Sequence, residues 1–315
     1  MPTLNIEDHA QAITWRVSNY SASGGEISIS GWDFGGEGPI ALLHHANGMC
    51  AATWAPVAMS LRARYRVFAI DARGHGDSQH LSVPEDYAWS NYVDDLAQVA
   101  NQIKSSCGVA RIALGVGSSF GGIVTAAAQA QNAQLFSRLV ILDPPIHPTS
   151  ASAAAVGIEW VEASTDQRKI LVEQTLKRTA VWASRDAARQ AWRTKPLFAP
   201  WHDQAFDLYL SQGLRDRDDG QVELKCDPTV EAHIFATTGS LDVLDYAPKV
   251  RVPVHLVRAQ KGFFAVGFFR GVAGLFANAE FSEIAAGHML PLEAPEMVVE
   301  MLLELPCEVE VRAAR

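Results

Sequence analysis

The sequence predicts an α/β fold: a doubly wound, mostly parallel sheet with helices on both faces and a helical cap inserted into it. Two observations predict this fold. Short β-rich runs alternate with segments of helical length over most of the 315 residues. Between about 147 and 240 this alternation stops, and the segment contains many charged, helix-favouring residues. We therefore expect one sheet-based core with a single helical insertion.

The predicted strands and helices follow one another in chain order. Candidate strands are 27–34, 39–45, 66–72, 111–117, 138–143, 252–258 and 279–284. Four of these runs are nearly continuous in apolar residues, as expected of parallel strands that are covered on both faces. Candidate helices lie at about 52–64, 86–105, 120–133 and 292–304. Ligands of such a sheet bind at the carboxyl ends of its strands.

The insertion divides the predicted core in two. Residues 1–146 and 241–315 are expected to form the α/β core, and residues 147–240 the helical cap that follows the sixth strand. The cap contains the tryptophans Trp160, Trp182, Trp192 and Trp201. We expect these side chains mainly to pack the cap against the core, although a cap also roofs the pocket beneath it.

Charge and composition narrow the classes of function. The formal net charge of -9 argues against a nucleic-acid or anionic-membrane surface, since both need clustered Lys and Arg. The amino terminus lacks the basic start and apolar run of a signal peptide, and no stretch approaches the roughly 20 apolar residues of a membrane span. We expect a cytoplasmic monomer or homodimer that acts on a small molecule.

The four cysteines argue against a metal or disulfide framework. They are widely scattered and form no CxxC pair: Cys50, Cys107, Cys226 and Cys307. The sequence implies neither a metal nor a cofactor.

A candidate nucleophile lies between a predicted strand and a predicted helix. Gly-Ser-Ser-Phe-Gly-Gly at 117–122 contains the pattern G-x-S-x-G, which needs small residues on both sides of a strained turn. The spacing selects Ser119 and not Ser118. A glycine-rich turn of this kind could instead hold a phosphate at the helix N-terminus, but neither the P-loop lysine nor a G-x-G-x-x-G spacing is found.

A serine nucleophile needs an imidazole to take its proton. His288 lies in AAGHMLPLEAPE, after the last predicted strand and before a predicted helix, at the edge of the sheet where Ser119 is expected. A histidine late in the chain fits the order of serine, acid, histidine. We therefore predict that His288 is the general base.

Two backbone N–H groups are expected to hold the oxyanion of the transition state. One belongs to Phe120, directly after the nucleophile. The other is expected in the loop after the predicted strand 39–45, which reads His-His-Ala-Asn-Gly at 44–48, and we assign it to Asn47. His44 and His45 are expected to order this loop and not to act as bases.

Taken together, HHANG, DARGHGDS (71–78), GSSFGG and GHMLPLEAPE resemble the α/β-hydrolase superfamily, in its cap-bearing esterase, lactonase and C–C hydrolase neighbourhood. The resemblance covers the core and leaves out the cap. It implies a serine, histidine and acid triad, and it implies a structural role for the turn that contains Asp71, Arg73, His75 and Asp77.

The sequence departs from this family at the acid. Most members have an aspartate after the strand matched here by 252–258, yet the following loop, 259–264, contains no carboxylate. A minority of members take the acid from the end of the preceding strand, where this chain has Asp143. The resemblance therefore favours Asp143 as the acid, with Glu283 or a dyad without acid as the alternatives.

The predicted reaction is hydrolysis of a carboxylic ester or lactone through an acyl-enzyme on Ser119. A C–C bond hydrolase, a thioesterase and a cofactor-free perhydrolase would use the same residues, and a hydrolase-fold receptor without turnover is an alternative of another class. The apolar stretch at 262–269 lies beside the loop that lacks the acid. We predict that Phe263 lines an acyl pocket there, the alternative being ordinary packing of helix on sheet.

Overall fold

The computed structural model describes residues 4–21, 23–146, 149–157 and 164–306. Its strands are β1 (Gln11–Ser18), β2 (Glu26–Gly35), β3 (Ile40–His44), β4 (Arg66–Ile70), β5 (Ile112–Ser118), β6 (Phe136–Leu142), β7 (Val181–Trp182), β8 (Leu214–Asp216), β9 (Val222–Leu224), β10 (Val254–Ala259) and β11 (Ala279–Ile284). Trp160 and Cys307, both named from the sequence, lie outside the described residues.

Within the described ranges, eight strands form the main sheet in the order β1-β2-β4-β3-β5-β6-β10-β11. The pairs β1–β2 and β2–β4 are antiparallel, and the other neighbours are parallel. The predicted doubly wound, mostly parallel sheet is confirmed. Since β3, β5, β6, β10 and β11 run in the same direction, the segments that follow them emerge at one edge of the sheet.

The α-helices are α1 (Ala55–Leu61), α2 (Trp89–Cys107), α3 (Phe120–Gln131), α4 (Ser150–Ala155), α5 (Ser164–Leu176), α6 (Arg185–Trp192), α7 (Asp203–Gln212), α8 (Pro228–Ala236), α9 (Val243–Tyr246), α10 (Val266–Ala273), α11 (Leu290–Glu293) and α12 (Pro295–Glu304). Helix α2 buries the stripe Tyr92, Val93, Leu96, Val99, Ala100 and Ile103, whose spacing of three and four residues marks one helical face. It ends at Gly108, whose φ of 67° suits a residue without a Cβ.

The central strands are buried on both faces. Along β6, Leu139 and Ile141 face one apolar cluster with α2 and α3, while Val140 and Leu142 face the opposite cluster with α1 and α12. Because successive side chains of a strand point to opposite sides, a continuous apolar run is needed to fill both clusters. Truncating such a buried leucine to alanine costs about 2–5 kcal/mol.

The chain between β6 and β10 contains α4 to α9. In the part that the structure describes, it also contains a three-stranded antiparallel sheet of β7, β9 and β8, which the sequence analysis did not predict. An apolar cluster joins this insertion to the core: Trp192, Phe198, Trp201, Phe206 and Tyr209 of the insertion pack with Ala46, Met49, Met289 and Leu292. The insertion therefore lies against the segments that follow β3 and β11.

Candidate active site

Ser119 occupies a strained turn between β5 and α3. Its φ of 52° and ψ of -120° are rarely adopted by a residue with a side chain, and such a conformation costs of the order of 1–3 kcal/mol. The flanking glycines make the turn possible. A Cβ on Gly117 would collide with the carbonyl oxygen of Gly121, and a Cβ on Gly121 would lie 2.5 Å from the carbonyl oxygen of His44. These collisions explain why the turn needs glycine at both positions.

His288 lies on the loop between β11 and α11, directly beside the serine. Its Nε2 is 2.8 Å from Oγ of Ser119, and its Nδ1 is 2.7 Å from Oδ2 of Asp143. The tautomer that satisfies both contacts has its proton on Nδ1, which donates to the carboxylate. The free lone pair of Nε2 then faces the serine hydroxyl. The structure thus brings together the three side chains that the sequence analysis singled out.

Asp143 follows the last residue of β6 and is completely buried. Its backbone also has a positive φ, 41°, and its N–H donates to the carbonyl of Val257 at 2.7 Å. Oδ1 accepts a hydrogen bond from the N–H of Ala259 at 2.9 Å, which leaves Oδ2 for His288. Glu283, the alternative acid, is instead paired with Arg258.

Glu293 holds the two peptides on either side of His288. Its Oε2 accepts from the N–H of Gly287 at 2.7 Å, and its Oε1 accepts from the N–H of Met289 at 3.1 Å. A Cβ at position 287 would collide with the same carboxylate. No sequence pattern predicts this role for Glu293, although the residue lies in the same segment as His288, GHMLPLEAPE.

Phe120 is the first residue of α3, so its N–H belongs to the first turn, where no intrahelical acceptor exists. Its side chain is buried and packs edge-on against Trp89 and Tyr92. Asn47 lies on the loop after β3. This loop runs beside the start of α3, because His44 pairs with Gly117 in the sheet. The side-chain amide of Asn47 donates to the carbonyl of Glu231 at 3.0 Å.

Buried histidines fix the loop after β3. Nδ1 of His45 bonds the carbonyl of Ala46 at 2.8 Å, and Nε2 of His45 accepts from the N–H of Ala72 at 2.9 Å. Burial lowers the pKa of His44 to about 4 and holds the pKa of His45 well below its ordinary value. His45 is thus a neutral imidazole with both nitrogens engaged in ordering the loop, and His44 bonds the carbonyl of His45 through Nδ1 at 3.1 Å.

The turn at 71–78 is bonded to the segment that follows the same loop. Asp71 accepts from the N–H of Ala51 at 2.6 Å and from that of Asp77 at 3.1 Å. Arg73 forms a buried, two-pronged ion pair with Asp95 at 2.6 and 2.7 Å. Asp71 therefore fixes two backbone N–H groups, and Arg73 fixes the turn to helix α2.

Phe263 lies on the loop after β10, and 81% of its side chain is exposed. Its ring is 5.2 Å from the ring of His288, centroid to centroid. The residue therefore stands at the mouth of the site, over the imidazole. A cavity of about 10 Å³, room for about one water molecule, lies between Trp54, Met49 and Met289, and Phe263 is not among the residues that line it.

Two features are absent from the part of the chain that the structure describes. Among the described residues, no three or more His, Cys, Asp or Glu side chains are grouped so that they could hold a metal ion. No helix in the described ranges combines the length and the apolar character needed to cross a bilayer.

Comparisons with known proteins identify the family of this chain. The model of the alpha/beta hydrolase family matches residues 41–301. The abhydrolase domain-containing protein ACTT2 of Alternaria alternata is 30% identical over 115 residues, 36% of this chain and 38% of the relative. A pimeloyl-[acyl-carrier protein] methyl ester esterase of Vibrio atlanticus is 30% identical over 109 residues, 35% of this chain and 38% of the relative. The chain thus aligns with about two fifths of the length of these relatives.

Among solved structures, E-2-(acetamidomethylene)succinate hydrolase superposes with a TM-score of 0.73 at 18% identity, covering 93% of this chain and 98% of the other. At this identity the likeness concerns the fold.

Proposed function

The chain belongs to the alpha/beta hydrolase family, and from this premise we propose that it is a serine hydrolase that cleaves a carboxylic ester or lactone of a small, largely apolar substrate. The observation that carries the proposal is the pair of hydrogen bonds from Ser119 to His288 and from His288 to Asp143. A hydroxyl on a strained turn, bonded to an imidazole that a buried carboxylate orients, is the arrangement that activates a serine.

Acylation follows from these contacts. Oγ of Ser119 attacks the carbonyl carbon of the substrate while its proton passes to Nε2 of His288. The negative charge that develops on the carbonyl oxygen is held by the N–H groups of Phe120 and Asn47. The C–O bond to the leaving group then breaks, and the leaving alkoxide takes the proton from Nε2. The product of this half-reaction is an ester of Ser119 and the free alcohol.

Deacylation repeats the same steps with water. Nε2 of His288 takes a proton from the water as its oxygen attacks the acyl carbon. The bond from that carbon to Oγ breaks, Oγ takes the proton back, and the carboxylic acid is released. The carboxylate of Asp143 stabilises the imidazolium that forms at each step.

The insertion over 147–240 acts as a cap in this proposal. Its aromatic cluster packs on Met49 after β3 and on Met289 after β11, which are the segments that flank the serine. A roof of this kind excludes water from the developing charge, where electrostatic interactions then become stronger. Phe263, exposed beside His288, supplies an apolar wall for the acyl group.

Ester chemistry is favoured over the other reactions by one of the relatives, the esterase of Vibrio atlanticus, whose name describes cleavage of a methyl ester. Experiment distinguishes ester cleavage from the alternatives, which are C–C bond cleavage, thioester cleavage and binding without turnover.

The test is a panel of p-nitrophenyl esters of graded acyl length, run on the wild type, Ser119→Ala and Ser118→Ala. We expect turnover by the wild type, a loss of at least about 10³-fold in kcat for Ser119→Ala, and a rate within about twofold of wild type for Ser118→Ala. A wild type that leaves every ester untouched would overturn the ester assignment, and an active Ser119→Ala variant would overturn the nucleophile.

A further inference from the structure

Two buried side chains form hydrogen bonds with the backbone of Gly48, one with its N–H and one with its carbonyl. Its N–H donates to Nε2 of His75 in the core at 3.1 Å, and its carbonyl accepts from the hydroxyl of Tyr209 in the insertion at 3.1 Å. We propose that Tyr209 is a positioning residue for the oxyanion hole, acting through the Gly48 carbonyl. This inference rests on the proposed function, because it assigns the loop of Asn47 and Gly48 to the oxyanion hole.

Gly48 is confined by more than these two bonds. Its φ is 76°, a conformation that favours glycine. A Cβ at this position would lie 2.8 Å from Oε1 of Glu231 in helix α8. The insertion therefore approaches the backbone here as closely as a glycine allows. The peptide between Gly48 and Met49, whose carbonyl Tyr209 holds, donates its N–H to the carbonyl of Ala46 at 3.1 Å. That carbonyl belongs to the same peptide as the Asn47 N–H, so the direction of the Asn47 N–H is restricted as well.

Tyr209 is itself held in place by its surroundings. It lies on α7, it is buried, and its ring packs at 5.5 to 5.9 Å against Trp192, Trp201 and Phe198. Nη2 of Arg178 donates to its phenol oxygen at 3.3 Å. The hydroxyl proton is then free to point at the Gly48 carbonyl. Burial raises the pKa of Tyr209 to about 12, so the phenol keeps its proton at neutral pH.

A second route joins the insertion to the same loop. Arg178 is paired with the buried carboxylate of Glu231, and the carbonyl of Glu231 accepts from the side chain of Asn47 at 3.0 Å. Contacts from α7 and α8 therefore reach two successive residues of the loop. A donor that is preorganised toward the developing charge stabilises the transition state without reorganising during the reaction. The insertion, in this account, sets the geometry of the oxyanion hole in addition to covering it.

A purely structural role for Tyr209 makes a different prediction. If its ring only fills the aromatic cluster, removal of the hydroxyl should lower stability slightly and leave the chemical step unchanged. Tyr87 offers a matched control, since it is also buried and its hydroxyl bonds the N–H and carbonyl of Leu81, at 2.7 and 2.8 Å, away from Gly48.

The experiment compares the wild type, Tyr209→Phe, Tyr87→Phe and Ser119→Ala on the p-nitrophenyl ester that the wild type cleaves best. It measures kcat, KM, the thermal midpoint and the inhibition constant of an alkyl trifluoromethyl ketone, which forms a tetrahedral adduct with an active serine. For Tyr209→Phe we expect kcat to fall about tenfold, the inhibition constant to rise by a similar factor, and KM to stay within about twofold. For Tyr87→Phe we expect a comparable loss of thermal midpoint with kcat unchanged.

A second variant covers the case in which Tyr209→Phe is too unstable to assay. Arg178→Lys leaves the aromatic cluster intact but replaces the planar fork that bridges Glu231 and Tyr209, and we expect kcat to fall about two- to fivefold. Equal kcat values for Tyr209→Phe and Tyr87→Phe, with Ser119→Ala inactive, would overturn this inference alone. An active Ser119→Ala would overturn the proposed function and this inference with it.

Discussion

Oδ2 of Asp143 lies 2.7 Å from Nδ1 of His288, although 145 positions separate the two residues along the chain. The carboxylate emerges from the end of β6 and reaches under the loop that follows β10. Gly262, in that loop, leaves the room it needs, since a Cβ there would lie 2.6 Å from Oδ2. The loop after β10 has no carboxylate of its own, and its glycine makes room for the carboxylate that follows β6.

Replacing Asp143 by asparagine should switch the tautomer of the imidazole. The amide would present N–H to Nδ1, the ring proton would move to Nε2, and Nε2 could no longer take the proton of Ser119. We expect kcat to fall by about 10³- to 10⁴-fold on the preferred ester. Glu283→Gln is the control, because it removes the alternative carboxylate, and its kcat should stay within about twofold. Loss of activity in Glu283→Gln, with Asp143→Asn active, would contradict the assignment of the acid.

Gly262→Ala should disturb the same carboxylate without removing it. The added methyl would press on Oδ2 of Asp143, so the bond to His288 lengthens and kcat falls at least about tenfold. Gly267→Ala is a matched substitution in helix α10, where the added Cβ meets no described atom within 4 Å apart from its own stretch of helix. It should leave kcat unchanged and raise the thermal midpoint slightly, because alanine favours the helix over glycine. Equal kcat values for the two variants would show that the room at Gly262 is not needed.

The sequence predicts the parts of this site that depend on local pattern. A strand, a turn with glycine on both sides and a helix identify Ser119, and a glycine before a late loop histidine identifies His288. The acid is harder to assign, because Asp143 meets His288 through the sheet order β6-β10-β11, which no local pattern reveals. Tyr209 escaped prediction for the same reason: its partner, Gly48, is 161 positions away.

The fold shows a similar division. The nearly continuous apolar runs mark the central strands to within two residues of their ends. Strand β1 was missed, since it lies at the edge of the sheet and only Trp15 and Val17 are buried along its length. The short strands β7 to β9 have two or three residues each, too few to show a period.

The stability of the protein should decrease in acid. Burial lowers the pKa of His44 to about 4 and that of His75 to about 3, whereas the unfolded chain takes up these protons near pH 6.5. The free energy of unfolding should therefore fall as the pH drops from about 6.5 toward 4. Asp71 acts in the opposite sense between about pH 6 and 4, because burial raises its pKa to about 6 and the folded state binds its proton first.

The variant His75→Gln isolates the contribution of one histidine to this pH dependence. Glutamine does not titrate, and its side-chain oxygen can still accept from the N–H of Gly48. Urea unfolding at several pH values between about 7 and 4 gives the free energy of unfolding as a function of pH. The slope of this dependence should correspond to about one proton fewer in His75→Gln than in the wild type. An unchanged slope would mean that His75 is not neutral in the folded protein.

Phe263→Ala tests the apolar wall beside the imidazole. Removing the ring should lower kcat/KM for long acyl esters by about three- to tenfold relative to the acetyl ester, because the longer chain loses its contact. Tyr20→Ala removes another exposed aromatic ring, 69% exposed at the turn after β1, and should leave the order of preference unchanged. The same acyl preference in Phe263→Ala and wild type would remove Phe263 from the pocket.

The central claim is that Ser119 is an activated nucleophile, and intact-mass analysis after incubation with a fluorophosphonate tests it most directly. The account predicts one covalent adduct per chain, mapped to Ser119 by peptide analysis and lost in Ser119→Ala, because a fluorophosphonate reacts only with a serine whose proton a neighbouring base can take. The absence of an adduct on the folded wild type, or an adduct on another residue, would contradict it.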